Sequence, residues 1–496
     1  MLDSNIPALG RRDLLRGAFS FLVAPPAAAR KPNIVLILMD DMAQRAISCY
    51  GNPYVPTPNV DRLAKEGMRF TDAYVTPQCT PTRATILTGQ YTARNKMWHV
   101  IPKYGYPWAR VKEPDCRDGL SRDDFLLSKG LQAAGYTTGC YGKWHLTANA
   151  DGDYTALKAE AAHYYGFHSV AAPGPPREIA TGDKGVNRLT AEAVRFVEAN
   201  RTRPFFLYLA HHTIHGPVLA PPELVAKYRA KGFPDTGLHN ATYLAALEHM
   251  DRAIGTLLAK LDELKLTDST AVFFLTDNGG VQHRFNRKAA ESNPRKLVKD
   301  LSEFSNEPLR AGKGSSYEGG IRVPLLVRWP GVAPPGAVCR TPVHAVDLMP
   351  TLFEIAGAKI PPGYATDGVS LLPLLRGDGR IPDRALYFFM PFYDILWAHT
   401  PSAAIREGDW KLIEFFGDYI HPETGDYSEG NRLELYNLRD DIGERNNLAA
   451  KDPARTARMR DKLHRWIRSC GSVIPGPNPN FDPAKMLTQV SAGRSD

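Results

Sequence analysis

The chain has 496 residues, more than one hydrophobic core usually serves, which predicts one large domain with a smaller companion. Hydrophobic content of 43% beside 23% charged residues excludes a disordered or collagen-like protein, and no later run of about twenty apolar residues suggests an integral membrane segment. The formal charge of +8 is spread along the chain among nearly as many acids, without helix-turn-helix, zinc-finger or basic-aromatic patterning, so no nucleic-acid partner is expected.

Cysteines at positions 49, 79, 116, 140, 339 and 470 include no CxxC pair, and no essential disulfide scaffold is expected. Residues 1–29 read as an address. Arg11-Arg12 precede a short apolar stretch at 18–24 and the small residues Ala27, Ala28 and Ala29, a pattern that resembles a twin-arginine export signal and implies a periplasmic or secreted protein. A disordered basic tail is the alternative.

From there on, apolar runs repeatedly end in polar clusters. Ile34 to Leu38 runs into Asp40 and Asp41; Thr137 to Tyr141 into Lys143 and His145; Phe205 to Leu209 into His211, His212 and His215; Ala271 to Leu275 into Asp277 and Asn278. Short continuous apolar runs suit strands buried on both faces, and open α/β sheets place ligands at the carboxyl ends of their strands. Helical patterns over 60–68, 126–134, 189–200 and 238–264 lie between, so the fold class is α/β, a large sheet flanked by helices. From about Pro382 the texture changes to short aromatic and β-branched runs between Gly-Asp turns, closed by a helix over 453–470. The expected domains are therefore 30–381 for the chemistry and 382–474 for a small antiparallel sheet with a helix, followed by an extended Pro-rich tail, 475–496.

Asp40, Asp41, Asp277 and Asn278 offer only oxygen ligands, the preference of a hard cation. Calcium is favoured over magnesium because it tolerates irregular coordination, while zinc would recruit the nearby histidines. Cys79 opens the string Cys79-Thr80-Pro81-Thr82-Arg83, with Pro81 where a helix begins and Gly89 where it stops, so the sulfur is placed at the positive end of a helix dipole. Taken alone, this is also compatible with a buried cysteine near a turn.

The extended string from Cys79 to Gly89 resembles the cysteine-type signature of the formylglycine-dependent sulfatases of the alkaline phosphatase superfamily, of the arylsulfatase and N-acetylgalactosamine-6-sulfatase kind. A second signature resembles Gly135 to His145, with Tyr141 where a smaller residue is usual. Asp40-Asp41, His215 in His-Gly-Pro, Asp277-Asn278 and Lys313 in Gly312-Lys-Gly-Ser-Ser-Tyr-Glu-Gly-Gly also match, and the resemblance runs from Asn33 to about Leu448.

It implies an alkaline phosphatase-like fold and hydrolysis of sulfate monoesters, either aryl sulfates or sulfated carbohydrates. Cys79 becomes 3-oxoalanine (formylglycine) through a separate maturation enzyme and joins Asp40, Asp41, Asp277 and Asn278 around the metal. Arg83 positions and stabilises residue 79. Lys143 and Lys313 clamp the sulfate, His215 protonates the leaving oxygen and His145 takes a proton from the hydrated aldehyde.

Two alternatives remain open: a phosphonate monoester or phosphodiester hydrolase of the same superfamily, and a catalytically silent protein that grips sulfated glycan. Residues 151–182 and 281–309 read as variable rims. The second carries Arg284, Arg287, Lys288, Arg295, Lys296 and Lys299, which suits a polyanionic sugar or, equally, a solvated loop. Residues 97–99 and 103–108 suit either a sugar-stacking wall or loop packing.

Overall fold

The protein is described from a computed structural model over residues 31–148, 153–173, 181–286 and 296–491. The leader falls outside the described residues. The apolar runs form the middle of a nine-stranded sheet: β1 (Asn33–Met39), β2 (Met68–Tyr74), β3 (Thr137–Gly142), β4 (Ser169–Ala171), β5 (Phe205–Ala210), β6 (Thr270–Thr276), β7 (Arg322–Arg328), β8 (Ala337–Cys339) and β9 (Val343–His344). The order across the sheet is β8-β2-β7-β6-β1-β5-β3-β4, with β9 also paired to β2. Only β7 runs against the rest, antiparallel to β2 and β6. The expected α/β class with a large mixed sheet holds.

The helices are α1 (Pro58–Lys65), α2 (Cys79–Thr88), α3 (Leu127–Ala133), α4 (Val186–Ala199), α5 (Pro222–Ala230), α6 (Ala241–Glu263) and α7 (Leu348–Ala356). Successive side chains of a strand point to opposite faces. Ile34, Leu36 and Leu38 of β1 therefore pack with α2, α3 and α7, and Val35, Ile37 and Met39 pack with α1, α4, α5 and α6. The longest helix, α6, starts where the Asn240 side chain accepts the Tyr243 N–H at 2.9 Å, an N-cap that satisfies one orphan donor.

The helical pattern over 60–68 stops early, at Lys65, because the chain there turns into β2. A Cβ on Gly67 would sit 2.2 Å from the Val327 carbonyl oxygen, so glycine alone lets the backbone pass β7. Beyond it Met68, Phe70, Asp72 and Tyr74 alternate with the period of a strand.

The C-terminal strands β10 (Ala385–Met390), β11 (Ser402–Glu407), β12 (Trp410–Phe415) and β13 (Arg432–Asn437) form an antiparallel sheet in that order. Met459, Leu463 and Ile467 of α8 (Pro453–Ser469) pack on Ile405, Leu412 and Leu435. The opposite face, with Leu386, Ile413 and Tyr436, meets Tyr74 at the end of β2 and Tyr317 and Ile321 in the helical turn just before β7. The tail, expected simply to be extended, pairs back: Gly476–Pro477 with Val111–Lys112, and Val490–Ser491 with Tyr104–Gly105.

Polar groups also cross this junction. The Lys411 ammonium lies 3.0 Å from Glu318 Oε1 and 2.8 Å from Glu444 Oε1, and Glu444 Oε2 accepts the Glu318 N–H at 2.7 Å, with all three side chains fully buried. Removing the shared cation strands carboxylates in a low dielectric. Lys411→Met is expected to cost about 3–5 kcal/mol, read as a lower thermal midpoint, and a midpoint equal to wild type contradicts this account of the junction.

Candidate active site

Strands β1, β3, β5 and β6 are neighbours and run parallel, so their carboxyl ends open on one edge. Asp40 and Asp41 leave β1, Lys143 and His145 leave β3, His212 and His215 follow β5, and Asp277 and Asn278 follow β6. Helix α2 begins at Cys79 itself, all ten of its residues are buried, and it ends at Gly89, which closes on the Thr85 carbonyl with φ 65°. Its amino end thus meets the strand ends in a place that water barely reaches. Lys313 arrives from the loop between β6 and β7.

Three acids and three bases interlock there. Arg83, fully buried, donates to Asp277 Oδ2 from Nε at 3.0 Å and from Nη2 at 2.6 Å, and to the Lys143 carbonyl at 2.8 Å. Lys143 Nζ lies 2.7 Å from Asp40 Oδ2, and Lys313 Nζ 2.7 Å from Asp41 Oδ1. Burial works against charge on Asp40, yet Lys143, with Arg83 and two histidines nearby, holds its carboxyl well below the usual range. Burial and the charge of Asp40 together push Asp277 up, against Arg83. Burial opposes the charge on Lys143 and Lys313 as well, but Asp40 and Asp41 respectively win, so both ammonium groups are raised.

The same cluster fits a hard cation. Asp40 Oδ1 and Asn278 Oδ1 are buried with no hydrogen-bond partner, a state that costs free energy unless something binds them. Asn278 spends its Nδ2 on Asp41 Oδ1 at 2.8 Å and on the Gly279 carbonyl at 2.9 Å, which leaves its oxygen for a ligand. One ligand atom each from Asp40, Asp41 and His215 lie within 4.8 Å of one another. Asp41 holds a left-handed φ of 61°, a conformation unusual outside glycine, and its N–H donates to Asp277 Oδ1 at 3.3 Å. Carboxylate and amide oxygens dominate this set, as calcium or magnesium prefers.

Cys79 Sγ is 3.3 Å from His145 Nδ1. The other ring nitrogen, Nε2, lies 2.6 Å from the Ile101 carbonyl, which can only accept. The proton is therefore on Nε2, and Nδ1 turns its lone pair toward residue 79. Burial and the neighbouring Lys143 lower the His145 pKa to about 3, so the ring is a neutral acceptor. His215 donates from Nδ1 to the Gly216 carbonyl at 2.7 Å, and its Nε2 lies 3.9 Å from Asp41 Oδ2. A cavity of about 800 Å³ opens over Cys79, His145, His215 and Lys313.

Every residue singled out from the sequence for catalysis or metal binding lies in this cluster. The two neighbouring histidines part ways: His211 is buried with neither ring nitrogen bonded among the described residues, whereas His212 Nε2 stands 4.0 Å from Asp40 Oδ2. Tyr141 packs on Phe196 behind the sheet, away from the site. Gly279, Gly280, Gly319 and Gly320 serve close backbone approach, since a Cβ on Gly279 would sit 1.8 Å from the Gly319 carbonyl oxygen. The stretch at 97–108 divides: Trp98 is core, while His99, Tyr104 and Tyr106 line the cavity.

Of the basic rim, Arg284 pairs with Asp300 and Lys296 with Asp426, while Arg287, Lys288 and Arg295 lie outside the described residues. Two residues escaped the sequence altogether. Lys184 donates to the carbonyls of His215 and Pro217, the latter at 2.9 Å, and Glu303 lines the cavity. No spacing signal pointed to either.

Among the described residues no helix is long and apolar enough to cross a membrane. The Sulfatase family model matches residues 32–358, and the model for the N-sulphoglucosamine sulphohydrolase C-terminal region matches 312–470. Human arylsulfatase A (Homo sapiens) is 32% identical, covering 86% of this chain and 85% of its own length. Rattus norvegicus N-acetylgalactosamine-6-sulfatase is also 32% identical, covering 73% of this chain and 69% of its own. The crystal structure of Ps i-CgsB in complex with k-i-k-neocarrahexaose superposes with a TM-score of 0.70 at 27% identity, covering 91% of this chain and 95% of that one. With the motif strings, the converging strand ends and these similarities in agreement, the chain belongs to the sulfatase family and is a sulfuric ester hydrolase.

Proposed function

We propose that this sulfatase hydrolyses a sulfated carbohydrate, using calcium at Asp40, Asp41, Asp277 and Asn278 and a formylglycine made from Cys79 by a maturation enzyme. The observation that carries the reading is the Cys79 sulfur, at the amino end of a wholly buried helix and 3.3 Å from an imidazole lone pair, inside a charge-balanced cluster with two orphaned oxygens. When present, the cation supplies positive charge for the sulfuryl oxygens and the aldehyde derived from Cys79 supplies the nucleophilic oxygen. The twin-arginine pattern at the amino end supports export to the periplasm or beyond.

The chain's own groups have separable tasks. Lys143 and Lys313 clamp the anionic oxygens, and their burial makes each charge count for more than it would in water. Arg83 holds Asp277 and the Lys143 backbone, fixing both relative to residue 79. His145 Nδ1 accepts the proton from the side chain at 79, with its tautomer set by Ile101. His215 faces the cavity beside Asp41. With Nδ1–H held by the Gly216 carbonyl, its Nε2 gives a proton to the leaving oxygen only as the imidazolium, a form that burial and Lys143 disfavour and that a bound anion must restore. The aromatic and aliphatic lining, including Tyr104, Tyr106 and Trp397, suits the apolar face of a sugar ring, and relatives that carry carbohydrate names support that class.

Protein co-expressed with a formylglycine-generating enzyme is expected to cleave an aryl sulfate, and to lose that activity by at least ~10⁴-fold in Cys79→Ala and on exhaustive chelation. Restoration by calcium, and not by magnesium or zinc, identifies the cation. Full activity in Cys79→Ala sinks the nucleophile assignment, and indifference to chelator sinks the metal. A faster turnover of the matching phosphodiester than of the sulfate ester moves the reaction class.

Nitrophenolate leaves without a proton, whereas a sugar alkoxide needs one. His215→Gln is therefore expected to slow a sulfated hexose ~10²-fold more than 4-nitrophenyl sulfate. Equal losses assign His215 to metal or sulfate binding instead.

A further inference from the structure

The site already assigned accounts for the sulfate and the metal but not for Glu303. This carboxylate lines the same cavity as Cys79, His215 and Lys313, is 4% exposed, and leaves Oε2 buried with no hydrogen-bond partner among the described residues. It is rigidly placed. Its N–H donates to the Val281 carbonyl at 3.2 Å, three residues past Asn278, and its carbonyl accepts the His239 N–H at 2.8 Å. Its Oε1 lies 3.8 Å from where a Cβ on Gly216 would be, so the carboxylate stands beside the residue that follows His215.

The nearby bases are all engaged elsewhere: Lys313 by Asp41, Lys184 by the carbonyls of His215 and Pro217, Arg284 by Asp300. A buried acceptor without a partner is costly, and one held rigidly inside a binding cavity is where a ligand donor repays that cost.

We propose that Glu303 is a specificity-determining residue that receives a free hydroxyl of the leaving group, so that the enzyme takes a sulfate ester of a neutral sugar with an unsubstituted hydroxyl near the ester. The proposal rests on the sulfatase reading and deepens it. A second sulfate there meets the Glu303 carboxylate, so a further anionic substituent does not suit the pocket next to the scissile bond. A hydroxyl avoids that repulsion and gives Oε2 a donor. The basic rim at 281–309 then does not define the first sugar.

The test measures kcat/KM on matured, calcium-loaded full-length protein. The substrates are 4-nitrophenyl sulfate, galactose 6-sulfate, galactose 4-sulfate, glucose 6-sulfate, and the monodeoxy analogues of whichever hexose sulfate is cleaved fastest. In the wild type, one monodeoxy analogue is expected to lose ~10- to 100-fold against its parent. In Glu303→Ala that parent-to-deoxy ratio is expected to collapse to within ~3-fold, and in Glu303→Gln, which keeps one acceptor and the shape, to fall between the two. The hexose-to-aryl ratio should drop in parallel.

Deoxy losses of equal size in wild type and both variants overturn the proposal, as does a wild type that cleaves the aryl sulfate but no hexose sulfate. If Glu303→Ala fails to fold, the Gln variant carries the same comparison, and an unchanged deoxy ratio in it is a refutation. Failure to cleave any sulfate ester, the aryl one included, brings down the sulfatase reading itself and the proposal with it, a result distinct from failure on sugars alone.

Discussion

A guanidinium with no exposure to water is tolerable only where carboxylate and carbonyl oxygens surround it, and the active site is built on one such group. Arg83 sits four residues into α2, and by reaching Asp277 after β6 and the Lys143 carbonyl after β3 it locks the helix to two separate strand ends. The position of Cys79 at the start of that helix follows from this lock. So does the position of Lys143, whose ammonium reaches on to Asp40 at 2.7 Å. The cluster sets three carboxyl groups against three cationic side chains, and a dication held there would add positive charge where a sulfate monoester must sit.

Around this centre the backbone does much of the positioning. The loop after β6 and the Gly319–Gly320 turn approach so closely that side chains would not fit between them, and the Gly279 N–H donates to the Gly320 carbonyl at 2.9 Å. That contact brings Lys313, whose own N–H donates to the Gly280 carbonyl at 3.0 Å, within reach of Asp41. The Ile101 carbonyl sets the tautomer of His145 from a loop far away in sequence, and Lys184 ties down the carbonyls that flank Gly216. Through these bonds the Ile101 carbonyl and Lys184 determine where proton donors and acceptors point.

The cavity wall is a joint product of both sheets and the tail. Trp397 comes from the connection between β10 and β11 and lies 5.1 Å beneath the Lys313 ammonium, so the C-terminal segment contributes both an aromatic surface and a cation–π contact. Tyr104 is backed by the strand pairing with Val490–Ser491 near the end of the chain. The buried Lys411 network and the apolar face of β10 to β13 against Tyr74 and Tyr317 keep this wall in register with the catalytic strand ends.

By itself the sequence determined the buried parallel strands, the helix opening at Cys79 and the identity of the acids, lysines and histidines at the strand ends. These are local facts: apolar runs of strand length, a proline and glycine bracketing a helix, and polar residues immediately after each run. The small antiparallel sheet and its closing helix were legible for the same reason. Only the tertiary structure decided which of His211 and His212 faces the site, because neighbouring side chains diverge by an angle that spacing does not reveal. It also decided that β7 runs backwards, that the tail returns to pair with the loop at Tyr104, and that Glu303 lines the cavity with one oxygen unpartnered among the described residues. Each of these depends on contacts between segments distant in sequence, and the energy of burying or pairing a group is a property of what surrounds it in space.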